Sequence, residues 1–137
     1  MALMNKPVSK ISSFILQLHC FGLVGILAAT THYVSVICLV ELGGLTPLLS
    51  NFFAFLISFQ VSYWGHRSLT FRGTTTPKRE GMLRFFLVAI TGFTVNQSLF
   101  YFFLNHFDWS YRISLLIVIA IVASMTFIFS KIWVFRF

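Results

Sequence analysis

Charge in this chain is confined to a few short segments, and that confinement limits what it can fold into. Four stretches carry no Asp, Glu, Lys or Arg: Ile11–Val40, Leu42–His66, Phe85–Phe107 and Ile113–Ser130. Each is close to, or longer than, the roughly 20 apolar residues that a helix needs to span a bilayer core. In lipid every backbone N–H and C=O must be paired within the protein, so spans are helices or closed barrels. A barrel strand alternates apolar and polar residues, and the run Ser114-Leu115-Leu116-Ile117-Val118-Ile119-Ala120-Ile121-Val122 does not. Composition points the same way: 9% of residues are charged and 58% hydrophobic, against about 25% charged in soluble domains. A soluble fold of 137 residues has too little interior to hide that much apolar surface. The expected fold is an all-α membrane protein, one transmembrane domain of four helices over residues 1–137.

The second and fourth stretches end alike, in His66-Arg67-Ser68-Leu69-Thr70-Phe71-Arg72 and Ser130-Lys131-Ile132-Trp133-Val134-Phe135-Arg136. The two endings are 64 residues apart, and the same gapless offset aligns Phe21 with Phe85, Val24 with Val88, Thr30 with Thr94 and Ser50 with Ser114. This predicts two tandem repeats of two helices each, about 17–72 and about 81–136, with a loop at about 67–82. Each unit crosses the membrane twice, so the repeats are parallel, related by an axis along the membrane normal.

The sidedness of charge predicts orientation. Nine of the ten basic residues fall before the first stretch, between the second and third, or after the fourth. Arg112 alone lies on the other side, with Glu41 and Asp108. By the positive-inside rule both termini and the middle loop are cytoplasmic. The net charge of +7 thus reads as topology and as contact with anionic phospholipid, and no nucleic-acid partner is expected. Cys20 and Cys38 lie about 27 Å apart along one helix, too far to pair within it.

Local signals mark the helix ends. Thr46-Pro47 reads as an N-cap and first helical position, and Ser110 as the cap of the fourth helix. Glu41–Leu45 and Asn105–Ser110 read as short outer turns. Gly65 reads as a stop for the second helix, and Pro77 as the opening of the third. No loop is large enough to hold a soluble catalytic domain.

Polar side chains inside a span are costly and are therefore candidates for function. Asn51, Ser58, Ser62 and His66 share one face of the second helix, and Asn96 lies on the third; they form a candidate polar path. His32 sits in the outer half of the first helix without a second ligand at fixed spacing. Ser and Thr residues are expected chiefly as glue between helices. Arg67, Arg72, Arg84, Lys131 and Arg136 cluster at the cytoplasmic ends, where Arg and Lys can hold a phosphate by charge-assisted hydrogen bonds. There are no paired carboxylates, no metal-ligand spacing, no glycine-rich phosphate loop and no nucleophile–base pair, so no enzyme, cofactor or metal is expected.

Taken together these segments resemble the GtrA-like family. The resemblance rests on Phe21-Gly22-Leu23-Val24-Gly25, then Leu49-Ser50-Asn51-Phe52-Phe53-Ala54-Phe55 continuing to Ser62 and Arg67–Phe71, then Arg84-Phe85-Phe86-Leu87-Val88 with Asn96, and finally Lys131-Ile132-Trp133-Val134-Phe135. It covers roughly residues 17–137. His66 and Ser130 stand where the family often has Asn, and His32–Tyr33 where it often has Asp. The resemblance implies translocation of a polyprenyl-phosphate-linked sugar, or of the polyprenyl phosphate carrier, across the bacterial inner membrane for surface polysaccharide synthesis. Arg67, Arg84 and Lys131 would then receive the phosphate. Four helices enclose little room, so a homo-oligomer is expected. Two other readings compete: a non-transporting adaptor that positions a membrane glycosyltransferase, and a small multidrug-type exporter, whose expected intramembrane Glu is absent here.

Overall fold

The computed structural model describes residues 10–70 and 78–129. Four helices account for nearly all of them: α1 (Lys10–Glu41), α2 (Pro47–Gly65), α3 (Lys78–His106) and α4 (Tyr111–Phe129). α1 packs along α2, α2 against α3, α3 against α4, and α4 back against α1. Short turns join α1 to α2 and α3 to α4, at what is termed here the turn end. The opposite end, carrying Arg67, is the basic end.

Both turns follow from local chemistry. Gly44 takes a left-handed φ of 66°, which a glycine adopts at little cost when a helix terminates. Its N–H reaches Val40 O at 3.1 Å and the Leu45 N–H reaches Leu39 O at 3.1 Å, so the last carbonyls of α1 are satisfied. Gly43 packs so close that a Cβ there would lie 2.6 Å from Leu39 O. Thr46 caps α2 through its side chain to Leu49 N, with Pro47 at the first helical position. Ser110 caps α4 through Oγ to Ile113 N at 3.4 Å. The caps and the first residues of α2 and α4 lie 64 residues apart.

Gly65 does not stop the second helix. Its peptide continues into a π-helical turn, His66–Thr70. A Cβ at Gly65 would sit 2.7 Å from Val24 Cγ1, so the missing side chain allows α1 and α2 to touch. The wider π turn inserts an extra residue, and His66 turns inward while Arg67 stays exposed. Pro77 lies outside the described residues.

The interior is small and lies mostly toward the turn end. Val36, Ala54, Phe100, Leu115 and Val118 are fully buried and form its apolar centre. The outside is apolar on every helix: Leu23 and Ile26 on α1, Phe52 and Leu56 on α2, Leu87 on α3 and Leu116 on α4 are all exposed. Such a surface suits lipid, where no polar coat is needed. By length and composition Leu18–Glu41 and Phe85–His106 can each cross a membrane, while the apolar run Tyr111–Thr126 is shorter. α2 is diluted by Ser50, Asn51 and Ser58, but these three are buried, and its outward residues apart from Gln60 are apolar.

Most outward hydroxyls do not act as glue. Thr91, Thr94, Ser98 and Ser124 each donate to the carbonyl four residues back in their own helix, at 2.8–2.9 Å. That local bond satisfies the hydroxyl without a neighbour.

Candidate functional site

Three helices meet through one buried polar cluster. Asn51 on α2 is its centre and is fully buried. Its Nδ2 donates to Asn96 Oδ1 at 2.8 Å and to Gln97 Oε1 at 2.6 Å, both on α3. Its Oδ1 lies 2.7 Å from His32 Nε2 on α1. His32 Nδ1 in turn lies 3.3 Å from Ser58 Oγ. Asn51 and Ser58 are two helical turns apart, so both side chains leave α2 on the same face.

A backbone carbonyl fixes the direction of the bonds that run from Gln97 through Asn51 to His32 Nε2. Gln97 Nε2 donates to Leu48 O at 3.1 Å, and a carbonyl can only accept. Gln97 Oε1 is therefore an acceptor, which commits both amide hydrogens of Asn51 to α3. Asn51 Oδ1 is left as an acceptor, so His32 Nε2 carries a hydrogen. The histidine tautomer thus follows from hydrogen-bond logic.

Beside the cluster is a cavity of about 200 Å³, lined by His32, Ser58, Ser62 and Asn96 together with Phe55 and Phe59 and small apolar residues of α1, α3 and α4. Toward the basic end its surroundings are aromatic. Phe55 stacks on Phe93 with ring centroids 4.3 Å apart, and Phe59 meets Phe85 and Phe86 at 6.0 and 5.8 Å.

Of the expected polar path, Asn51, Ser58 and Asn96 are joined in one cluster and Ser62 lines the cavity. His66 is separate. It is 4% exposed and lies between the rings of Phe21 and Phe85, at 4.7 and 5.3 Å. His32 and Gln97 complete the cluster although sequence reasoning left both outside the path. The available signal for His32 was the repeat offset, since His32 and Asn96 are 64 residues apart and both reach Asn51.

Of the expected phosphate ligands, Arg67 is exposed at the basic end. Its guanidinium donates to Tyr63 OH at 3.2 Å and lies over the Trp64 ring at 5.5 Å. Both contacts are to α2 aromatics, and the cation is kept pointing outward. Arg84 belongs to α3, but its side chain is outside the described residues, as are Arg72, Lys131 and Arg136 entirely. Among the described residues no three His, Cys, Asp or Glu side chains gather as metal ligands do.

At the turn end Glu41 bridges α1 to α4. Its Oε1 accepts from Arg112 Nη2 at 2.8 Å and from Tyr111 OH at 2.5 Å.

A bundle with an apolar exterior and a polar interior cluster is that of a membrane protein. The chain belongs to the family described as GtrA/DPMS, transmembrane domain, which it matches over residues 20–135. That membership associates it with the handling of sugars linked to carrier lipids. No curated protein and no solved structure matches it.

Proposed function

We propose that this protein moves a polyprenyl-phosphate-linked sugar, or the polyprenyl phosphate carrier, across the bacterial inner membrane for cell-surface polysaccharide synthesis. The carrying observation is the cavity lined by His32, Ser58, Ser62 and Asn96 inside a bundle whose outer face is apolar. A translocator must offer polar groups to a headgroup while the prenyl tail stays in lipid, and polar groups inside a span are otherwise costly. Arg67, with Arg72, Arg84, Lys131 and Arg136, receives the phosphate at the cytoplasmic face, and both termini are cytoplasmic. The two helix pairs are tandem parallel repeats; the common spacing of the Thr46 and Ser110 caps supports that reading. The protein acts as a homo-oligomer, with the wider part of the headgroup path between protomers, and carries out no covalent chemistry.

The test is translocation of a labelled polyprenyl-phosphate sugar in reconstituted vesicles. The Arg67→Ala/Lys131→Ala double variant is expected to slow it at least tenfold; an unchanged rate removes the phosphate role. Cross-linking in membranes should trap a dimer or larger species, and a monomer alone contradicts the shared path. One observation favours an adaptor for a membrane glycosyltransferase instead: every hydrogen-bonding group of the Asn51 side chain is used inside the bundle. Wild-type vesicles that move no headgroup, together with co-purification of a glycosyltransferase, would select that reading.

A further inference from the structure

We infer that His32 is a proton-binding site facing the cavity, and that a phosphate entering the cavity binds together with a proton on His32 Nδ1. The phosphate part rests on the transport reading above; the proton site rests on the cluster geometry alone.

The two ring nitrogens of His32 have different surroundings. Nε2 is committed as a donor to Asn51, through the bond order that Leu48 O imposes. Nδ1 is therefore the nitrogen that is bare in the neutral ring. It faces Ser58 Oγ, and both His32 and Ser58 line the cavity, whereas Asn51 does not.

Ser58 is suited to either state of that nitrogen. Its hydroxyl lies 3.3 Å from Nδ1 and 3.1 Å from Phe55 O. With Nδ1 bare, the hydroxyl hydrogen can point to it. When a proton from water occupies Nδ1, Ser58 Oγ accepts from the new N–H and turns its own hydrogen to Phe55 O. Both states satisfy the same heavy atoms without moving any of them. The step is a simple protonation, in which one N–H bond forms and one unit of positive charge enters the bundle.

Among the described residues that face it, nothing balances that charge. The groups facing His32 are Asn51, Phe55 and Ser58 of α2 and Asn96 of α3, and the cavity wall on α4 is Ile119, Val122 and Ala123. None of these titrates or carries charge. An unpaired cation in such a place is costly, so the imidazolium favours an anion beside it. The cavity is open to such an anion, and a phosphate within it gains from the positive charge on the ring even though both ring N–H groups already have acceptors. Proton and phosphate thus raise each other's affinity, and by linkage the effect is reciprocal.

The experiment is ¹⁵N-histidine NMR of the full chain in phosphatidylcholine nanodiscs, titrated with pH. The chain has four histidines, and the His32 signal is the one lost in His32→Gln. Glutamine keeps a donor near the Nε2 position while removing the titratable nitrogen, so the bond to Asn51 survives. The expected result is an Nε2–H tautomer when neutral, with Nδ1 gaining a proton on acidification. Adding a polyprenyl phosphate should raise that midpoint by about one pH unit, a tenfold coupling of the size common between linked sites. A similar rise with inorganic phosphate supports the same site and identifies free phosphate as a ligand. An equal rise with phosphatidylglycerol traces the shift to surface potential and overturns the site. So does an Nδ1–H neutral tautomer, or a midpoint that no phosphate moves.

Translocation assays separate the two claims. If wild-type vesicles move no headgroup while the midpoint shift stands, transport fails and the proton–phosphate site survives. If wild type and His32→Gln transport at the same rate with the same pH profile, proton coupling fails and transport stands.

Discussion

Aligned at an offset of 64 residues, the two helix pairs share five buried positions and fill them with different chemistry. His32, Val36, Ser50, Asn51 and Ala54 of α1 and α2 correspond to Asn96, Phe100, Ser114, Leu115 and Val118 of α3 and α4, and all ten are buried. The decisive difference is Asn51 against Leu115. One is the centre of a four-partner polar cluster, and the other is part of the apolar centre. Ser58 against Val122 repeats the contrast at the cavity. The first pair therefore supplies most of the polar chemistry, while the second adds Asn96 and Gln97 and an otherwise apolar wall. A buried position constrains size more than polarity, provided that a polar occupant finds all its partners.

The most severe way to break this contrast is to give α2 the residue that α4 carries. Asn51→Leu strands the His32 Nε2–H together with the Asn96 and Gln97 oxygens. A buried group left unpaired costs about 1–3 kcal/mol, although bonds between membrane helices average only about 0.6 kcal/mol. Three losses together should destabilise by about 2–4 kcal/mol, read from equilibrium unfolding in micelles. A loss below about 1 kcal/mol would mean that the cluster adds little beyond packing. The reverse change, Leu115→Asn, should also destabilise, because it places an amide in the apolar centre with Val36, Ala54, Phe100 and Val118.

Gly65 sharpens the comparison at the basic end of the first pair. Gly65→Ala drives a methyl against Val24, and overpacking of this kind costs about 1–3 kcal/mol. Val24→Ala in the same chain should restore most of the loss. If it does not, the strain lies in the π turn rather than between the helices.

Ser50 and Ser114 test whether equal burial means equal energetics. Both hydroxyls are buried with no hydrogen-bond partner, an arrangement that normally costs stability. Ser50→Ala and Ser114→Ala should each leave stability unchanged or raise it by up to about 1 kcal/mol. Destabilisation by only one of them would show that its hydroxyl has a partner the other lacks.

Much of this was legible in the sequence, because local chemistry decides it. Thr46-Pro47 and Ser110 fix helix starts through their own side chains and rings, and the face shared by Asn51 and Ser58 follows from helical geometry alone. Three features were not legible, each for a reason of distance. Gly65 reads as a stop, but its role is set by Val24 on another helix. The outward hydroxyls read as glue, but their own carbonyls were nearer than any neighbour. His32 read as isolated because periodicity compares residues within one helix, and its partners Asn51 and Ser58 come from the next. The phosphate ligands were read from charge alone, and of these only the Arg67 side chain falls within the described residues.

The smallest effect belongs to the exposed ionic link between the pairs at the turn end. Glu41 of α1 accepts from Arg112 and Tyr111 of α4, and its short bonds suggest a strong clasp. The exposure of the two charged side chains argues otherwise: they are 45% and 50% accessible. Exposed pairs contribute about 0.2–1 kcal/mol because water competes and two flexible side chains must be held still. The inner cluster joins α1, α2 and α3 away from water, so the pairs do not depend on the outer clasp for register. Glu41→Gln keeps an oxygen that can accept from both partners and removes only the charge. Its cost should be the smallest of the set and shrink further in high salt, since screening acts on exposed charge. A loss comparable to that of Asn51→Leu would reverse the order, and would place the main tie between the helix pairs at the surface rather than at Asn51.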